Sequence, residues 1–148
     1  MYTEQLTQEI GIAAPVNPQT INNTNKTTGS IDLSLFKRAF FIVEFGAMTA
    51  GCTIGLQLLE DTAANLGTAT NLAGTSTSQT GLTNAKANKQ ITFEVRADQI
   101  TKRYVGLKVT ESGSQNVTVS VSAFGMDAIH KPGNSQNDAS VDTQNVVS

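Results

Sequence analysis

The residues that could support catalysis or metal binding are few and widely separated in this chain. His130 is the single histidine and Cys52 the single cysteine. A structural zinc site needs about four nitrogen, sulfur or carboxylate ligands at defined spacing, and neither residue has such neighbours in the sequence. The adjacent carboxylates Glu60 and Asp61 end an apolar run, where a solvated strand end is a simpler interpretation than a cation site. The sequence therefore predicts no metal and no cofactor.

Motifs that would identify an enzyme are also missing from the sequence. There is no serine elbow, no phosphate-binding loop and no spaced pair of carboxylates typical of glycoside hydrolysis. Tryptophan is absent and only two tyrosines are present, so there is little aromatic surface on which a sugar or a base could stack. We therefore expect a protein that is not an enzyme, with a non-catalytic module that binds small ligands as an alternative.

The composition favours a protein that packs against other proteins. The chain has 148 residues and is 39% hydrophobic, which suits one domain with a real core. Only 15% of the residues are charged, and neutral polar surface can be buried without desolvating many charges. A charge-poor domain that stays solvated explains the same composition. The net charge of −2 and the absence of a basic stripe predict no binding to nucleic acid.

The sequence contains no segment that would direct the chain to a membrane. No apolar run reaches the length of a transmembrane helix, and the N-terminus lacks the pattern of a signal peptide. One cysteine cannot form an intrachain disulfide, and Cys52 lies in an apolar stretch that favours a buried thiol. These features predict synthesis in a cytoplasm and no membrane partner.

Alternation of apolar and polar residues predicts that most of the chain forms β-strands. Sheets that are apolar on one face must cover each other, so we predict an all-β fold, an antiparallel β-sandwich or jelly-roll-like domain. The run at 38–45 is apolar on both faces, which is typical of a central strand. The predicted core consists of the inward-facing residues Phe41, Val43, Ile54, Leu56, Ile91, Phe93, Val95, Leu107, Val109, Val119 and Val121.

Three segments of the chain look irregular. Residues 1–30 contain two prolines and an Asn/Thr-rich run, which predicts an extended N-terminal arm. The sandwich domain is then expected at 31–131, and the polar residues 132–148 are expected to form a flexible C-terminal tail. Residues 61–88 are also polar, and they form either a contact surface or a simple mobile loop.

Two groups of residues are candidates for contacts with a partner protein. In the arm, Leu6, Ile10 and Ile12 are apolar anchors that a linker would not need, and an extended segment can join a sheet edge of this chain or of a neighbour. A chain that starts at Gly29 is therefore expected to fold but to bind its partner poorly; a disordered leader is the alternative. The second group comprises the polar faces of two predicted strands, formed by Thr118, Ser120 and Ser122 and by Thr92, Glu94 and Arg96.

Four segments carry a resemblance to a known family: DLSLFKRAFFIV at 32–43, GCTI to LLE at 51–60, NKQI to EVRA at 88–97 and KRYVGLKV at 102–109. Over roughly two thirds of the chain, this pattern of strands and turns resembles that of small tailed-phage head proteins that act as capsid cement or decoration proteins. The resemblance implies a β-rich homo-oligomer, most often a trimer, whose partner is the major capsid protein.

The resemblance also implies a location and a function. The protein would be made in the host cytoplasm and would bind the outer surface of the capsid, where it would stabilise contacts between major capsid protein subunits. A tail or connector component built on a small β-sandwich is the alternative within the virion. Outside the virion, the alternative is a non-catalytic soluble binding module.

Overall fold

The computed structural model describes residues 5–74, 76–130 and 132–143. Apart from α1 (Leu6–Glu9) and three 3-10 turns, the regular elements of the described residues are β-strands. No helix among them has the length and hydropathy to span a membrane. The strands are β1 (Gly11–Ile21), β2 (Asn25–Thr27), β3 (Ile31–Asp32), β4 (Phe36–Met48), β5 (Ile54–Asp61), β6 (Thr70–Asn71), β7 (Ser78–Leu82), β8 (Gln90–Arg96), β9 (Tyr104–Glu111) and β10 (Val117–Ala128).

The strands form two antiparallel sheets that cover each other. Sheet A has four strands in the order β1-β10-β4-β8. Sheet B has the order β2-β9-β5-β6, with β3 also paired to β9 and β7 also paired to β5. The predicted β-sandwich is therefore confirmed. The run at 38–45 lies in β4, which has a partner on each side and is a central strand as expected.

The core lies between the two sheets and follows the alternation of the sequence. Phe41 and Val43 of β4 are fully buried, as are Leu107 and Val109 of β9 on the opposite sheet. Every predicted core residue is buried except Ile91, which is partly buried and packs against the others. The strands thus bury one face each because β-branched and aromatic residues recur at every second position.

Cys52 is buried just before β5, as the sequence predicts. Burial and the nearby Glu111 carboxylate raise the pKa of the Cys52 thiol above its ordinary value. A thiol that stays protonated is a poor nucleophile and a poor metal ligand. Cys52 therefore acts as a small apolar residue of the core.

Residues 11–27 belong to the sandwich, although the sequence placed them in an arm outside it. β1 pairs with β10, β2 pairs with β9, and Val16 and Ile21 are buried in the core. β1 tolerates its two prolines because it is an edge strand with register irregularities on both sides of Val16. The sandwich thus begins at Gly11 rather than at residue 31.

The segment after β10 packs along the outer edge of β1 and is not wholly a free tail. The backbone N–H of Ile12 donates to Oδ1 of Asn137 at 2.9 Å. The backbone N–H of Asp138 donates to the carbonyl of Ile12 at 2.7 Å. The predicted tail at 132–148 therefore begins as an edge cover for β1, while residues 144–148 lie outside the described residues.

The polar segment at 61–88 is partly regular. It contains β6, β7 and a 3-10 turn at Asn84–Lys86, and both strands pair with β5. Polar residues suit these short strands because they lie at the edge of sheet B, where one side of the backbone faces solvent. The segment thus extends sheet B beyond β5.

Candidate contact surface on sheet A

Glu60 and Asp61, which the sequence left at a solvated strand end, are buried, with 5% and 1% of their surface exposed. Asp61 accepts hydrogen bonds from the N–H of Ala63 at 3.2 Å and from the N–H and hydroxyl of Thr68 at 2.9 Å each. Glu60 accepts from the N–H and hydroxyl of Thr101 at 2.8 Å each. The solvated interpretation is therefore wrong, because two loops fold back over the strand end. Hydrogen-bond donors already occupy these carboxylate oxygens, so the arrangement is unsuitable for binding a cation.

Glu111 ties three segments together in the same way. Its oxygens accept from the N–H of Asn23 and Gly113 at 2.7 Å each and from the N–H of Thr53 at 3.3 Å. His130 is exposed just beyond β10. Among the described residues, no group of three His, Cys, Asp or Glu side chains could hold a metal ion. The buried carboxylates therefore bind backbone N–H groups of neighbouring loops and hold these segments to the sheets.

The hydrogen bonds to these three carboxylates shift their pKa values downward. Burial alone would raise the pKa, since it penalises the charged form, but the donors to Glu60, Asp61 and Glu111 more than offset this effect. The unfolded chain lacks these donors and takes up protons at a higher pH. Folding therefore becomes less favourable as the pH falls below the ordinary carboxyl range of about 4 to 4.5.

We expect the melting temperature to be nearly constant around neutral pH and to fall progressively below about pH 4.5. Circular dichroism melts between neutral pH and about pH 3 measure this fall, which we call the acid limb of the stability curve. Replacement Glu111→Gln should lower stability at neutral pH and make the acid limb shallower, because one depressed carboxyl is gone. The exposed Asp142→Asn variant removes the same charge without removing a buried contact, and it should melt close to the wild type at neutral pH. An equally steep limb in Glu111→Gln would contradict this assignment.

The two predicted polar strand faces lie on one surface. The register pairs Ser120 with Glu44, Ser122 with Ile42, and Ile42 in turn with Thr92. Side chains alternate along each strand, so one side of sheet A collects all the polar candidates. We call this surface the outer face, and it consists of the residues Thr118, Ser120, Ser122, Phe124, Met126, Arg38, Phe40, Ile42, Glu44, Gln90, Thr92, Glu94 and Arg96.

The centre of the outer face is apolar, which the sequence analysis missed. Phe40 and Phe124 are register partners, and Ile42 and Met126 lie in the adjoining rows. All four side chains are only partly buried, because sheet B covers the opposite face of sheet A. A signal was available in the sequence: a sandwich covers only one face of each sheet, so a strand that is apolar on both faces must expose one of them.

Polar and charged side chains surround this apolar centre. Arg38 contacts Glu94 at 3.2 Å and Asp127 at 2.7 Å. At the other end, Glu44 accepts a hydrogen bond from the hydroxyl of Ser120 at 3.2 Å. Ion pairs as exposed as these contribute little to stability. An apolar centre with a polar rim is the usual anatomy of a protein interface.

The three apolar residues predicted to anchor an arm have different locations. Ile12 lies on β1 in register with Phe124, so it extends the outer face by one strand. Ile10 follows α1 and is partly buried, while Leu6 on α1 is 66% exposed. The structure thus brings Ile12 to the same surface as Thr118, Ser120 and Ser122, while Leu6 lies on the short helix α1, which contacts β10.

No protein-family model and no curated protein matches this chain. Solved structures resemble it in fold. The crystal structure of the PBSX exported protein XepA has a TM-score of 0.53 at 12% identity, over 88% of this chain and 40% of that protein. The infectious bursal disease virus Gt strain structure has a TM-score of 0.49 at 10% identity, over 84% of this chain and 33% of that chain. This chain therefore spans less than half of the XepA chain, and the likeness shows a shared β-sandwich fold.

Proposed function

We propose that this chain is a structural virion protein that binds the outer surface of a phage capsid and stabilises contacts between major capsid protein subunits. The outer face of sheet A is the observation that carries the proposal. Phe40, Ile42 and Phe124 form a partly exposed apolar centre inside a polar rim. Apolar surface of this kind on a soluble domain marks a site of protein interaction. The resemblance to cement proteins supplies the identity of the partner.

The chemistry of the outer face suits attachment to a protein shell. Aromatic residues at the centre of an interface contribute most of the binding energy, and Phe40 and Phe124 occupy that position. The neutral hydroxyls of Thr118, Ser120 and Ser122 can be covered without desolvating charge. Many copies on one shell act additively, and mass action then favours the intact particle. The protein would be made in the host cytoplasm and act as a homo-oligomer.

We expect the double variant Phe40→Ala and Phe124→Ala to bind empty, expanded capsids of the parent phage at least about 10-fold more weakly, because two central aromatic contacts are lost. Co-sedimentation with capsids measures occupancy, and circular dichroism confirms that the variant is folded. The matched control is Tyr104→Ala, since Tyr104 is a partly buried aromatic residue on β9 of the opposite sheet. Unchanged occupancy by the double variant would overturn the proposal. Binding to purified tails but not to capsids would favour a tail or connector component.

A further inference from the structure

β8 is the open edge of sheet A. It pairs with β4 on one side, and none of the described residues pairs with its other side. The N–H of Phe45 donates to the carbonyl of Lys89 at 3.0 Å. Bonded pairs alternate along an antiparallel ladder, so β8 bonds β4 through inward-facing residues such as Phe93. The backbone groups of Thr92 and Glu94 therefore point away from β4, toward the open edge.

The two edges of sheet A differ in how they are protected. β1 carries Pro15 and Pro18, its register is irregular, and the backbone of Ile12 is bonded by Asn137 and Asp138. β8 has seven residues in regular register, without proline or lysine. It carries two charged side chains, Glu94 and Arg96. At its end the N–H of Arg96 donates to Oε1 of Gln99 at 2.9 Å, which leaves the backbone of Thr92 and Glu94 as the open part of the edge. Natural edge strands usually carry prolines, an irregular register or a covering segment, as β1 does, because an unprotected edge pairs with another chain. β8 therefore has the properties of an edge that is used for pairing.

We propose that two copies of this chain pair antiparallel through β8, about a two-fold axis beside Phe93, and join their four-stranded sheets into one. Thr92 of one copy then exchanges both backbone hydrogen bonds with Glu94 of the other. By symmetry, Glu94 of the first copy exchanges the same two bonds with Thr92 of the second, which gives about four hydrogen bonds in all. A strand that pairs with its own copy in this way forms an isologous interface, which closes after two subunits.

The side chains of β8 select this register. An axis beside Phe93 uses the full strand, since Phe93 is the midpoint of Gln90–Arg96. Gln90 then lies opposite Arg96, and Thr92 lies opposite Glu94. An axis beside Glu94 would instead place two carboxylates directly opposite each other, which is destabilising.

The pairing also completes the core. Ile91 is the one predicted core residue that the single chain leaves partly exposed. In the proposed register Ile91 lies opposite Val95 of the other copy, on the inward side of the joined sheet. Cross-strand pairs of β-branched residues stabilise a sheet by direct contact. The second copy therefore covers the apolar residue that the free edge exposes.

The pairing also places the outer faces of the two copies next to each other. A two-fold axis perpendicular to the sheet keeps both outer faces on the same side, so the two apolar centres lie side by side. Two linked contact surfaces bind a lattice more tightly than one does. The pairing itself does not rest on the proposed function, because it involves only this chain. A two-fold dimer would replace the trimer that the family resemblance implies.

Native mass spectrometry and sedimentation of the purified full chain test the pairing. We expect a dimer of twice the 15.6 kDa chain mass. Thr92→Pro removes the N–H that faces the open edge and should give a folded monomer, because an edge position tolerates proline. Thr92→Ala keeps that N–H and should remain dimeric. A wild-type chain that is monomeric or trimeric, or a dimer that survives Thr92→Pro, would overturn the inference.

Cysteine cross-linking keeps the test decisive if Thr92→Pro fails to fold. The double variant Thr92→Cys and Glu94→Cys places thiols on directly opposed residues, whose Cα atoms lie about 5.5 Å apart in a bonded antiparallel pair. Mild oxidation should convert most of this variant to a covalent dimer. Thr118→Cys, on β10 of the same face, is the control and should give little. Absence of a dimer from the double variant would overturn the pairing, and a monomer that still binds capsids would leave the proposed function standing.

Discussion

A chain that starts at Gly29 is expected not to fold. The deletion removes β1, which bonds one whole side of β10, together with the buried core residues Val16 and Ile21. It also removes the N–H that Asn23 donates to the buried Glu111 carboxylate. Each lost core side chain costs about 2–5 kcal/mol, and the lost strand pairing adds to that. The sum approaches the whole stability of a typical domain, about 5–15 kcal/mol.

Far-UV circular dichroism and thermal melting measure this effect. The control is a chain that starts at Ile10, which loses α1 but keeps β1 and should melt cooperatively. The expected result reverses the one drawn from the sequence, in which the chain from Gly29 folds normally. A chain from Gly29 that melts close to the full-length protein would restore the interpretation of residues 1–30 as an arm.

Phe41→Ala is expected to lower the free energy of unfolding by about 3–5 kcal/mol. Phe41 has no exposed surface and is in register with Ala123 on one side and Phe93 on the other. Phe40 is the matched control, since it is the preceding residue of the same strand but lies on the partly exposed outer face. Phe40→Ala is expected to cost about 1 kcal/mol, near the centre of the distribution for single substitutions.

Chemical denaturation of the two variants measures both losses on the same scale. A large loss for Phe41→Ala and a small one for Phe40→Ala would establish that β4 buries one face only. Equal losses would mean that both faces of β4 are covered, and the outer face would then be unavailable to a partner.

The strands with clean alternation were predictable from sequence, while β1 was not. Val119 and Val121 alternate with hydroxyl residues, which fixes both the strand and its buried face. Pro15 and Pro18 interrupt β1 in a way that is typical of a loop. Only the tertiary structure shows that β1 is an edge strand, where a missing N–H costs no bond within the sheet.

The polar half of the candidate surface was predicted from alternation, while its apolar centre was missed. Thr118, Ser120 and Ser122 share a face by alternation alone. The run that contains Phe40 and Ile42 was interpreted only as a central strand, and neither residue was assigned to the core or to a contact surface. A two-layer sandwich with Phe41 and Val43 in its core leaves Phe40 and Ile42 on the uncovered face, so the apolar centre follows from the whole fold rather than from local alternation.

Cryo-electron microscopy of the intact virion tests the docking of the outer face most directly. The proposed function predicts density for the sandwich on the outside of the shell, over junctions between major capsid protein subunits. Phe40 and Phe124 should lie within about 4 Å of capsid side chains, the distance of direct apolar contact. Density with sheet B against the shell and the outer face in solvent, or density at the tail alone, would contradict it.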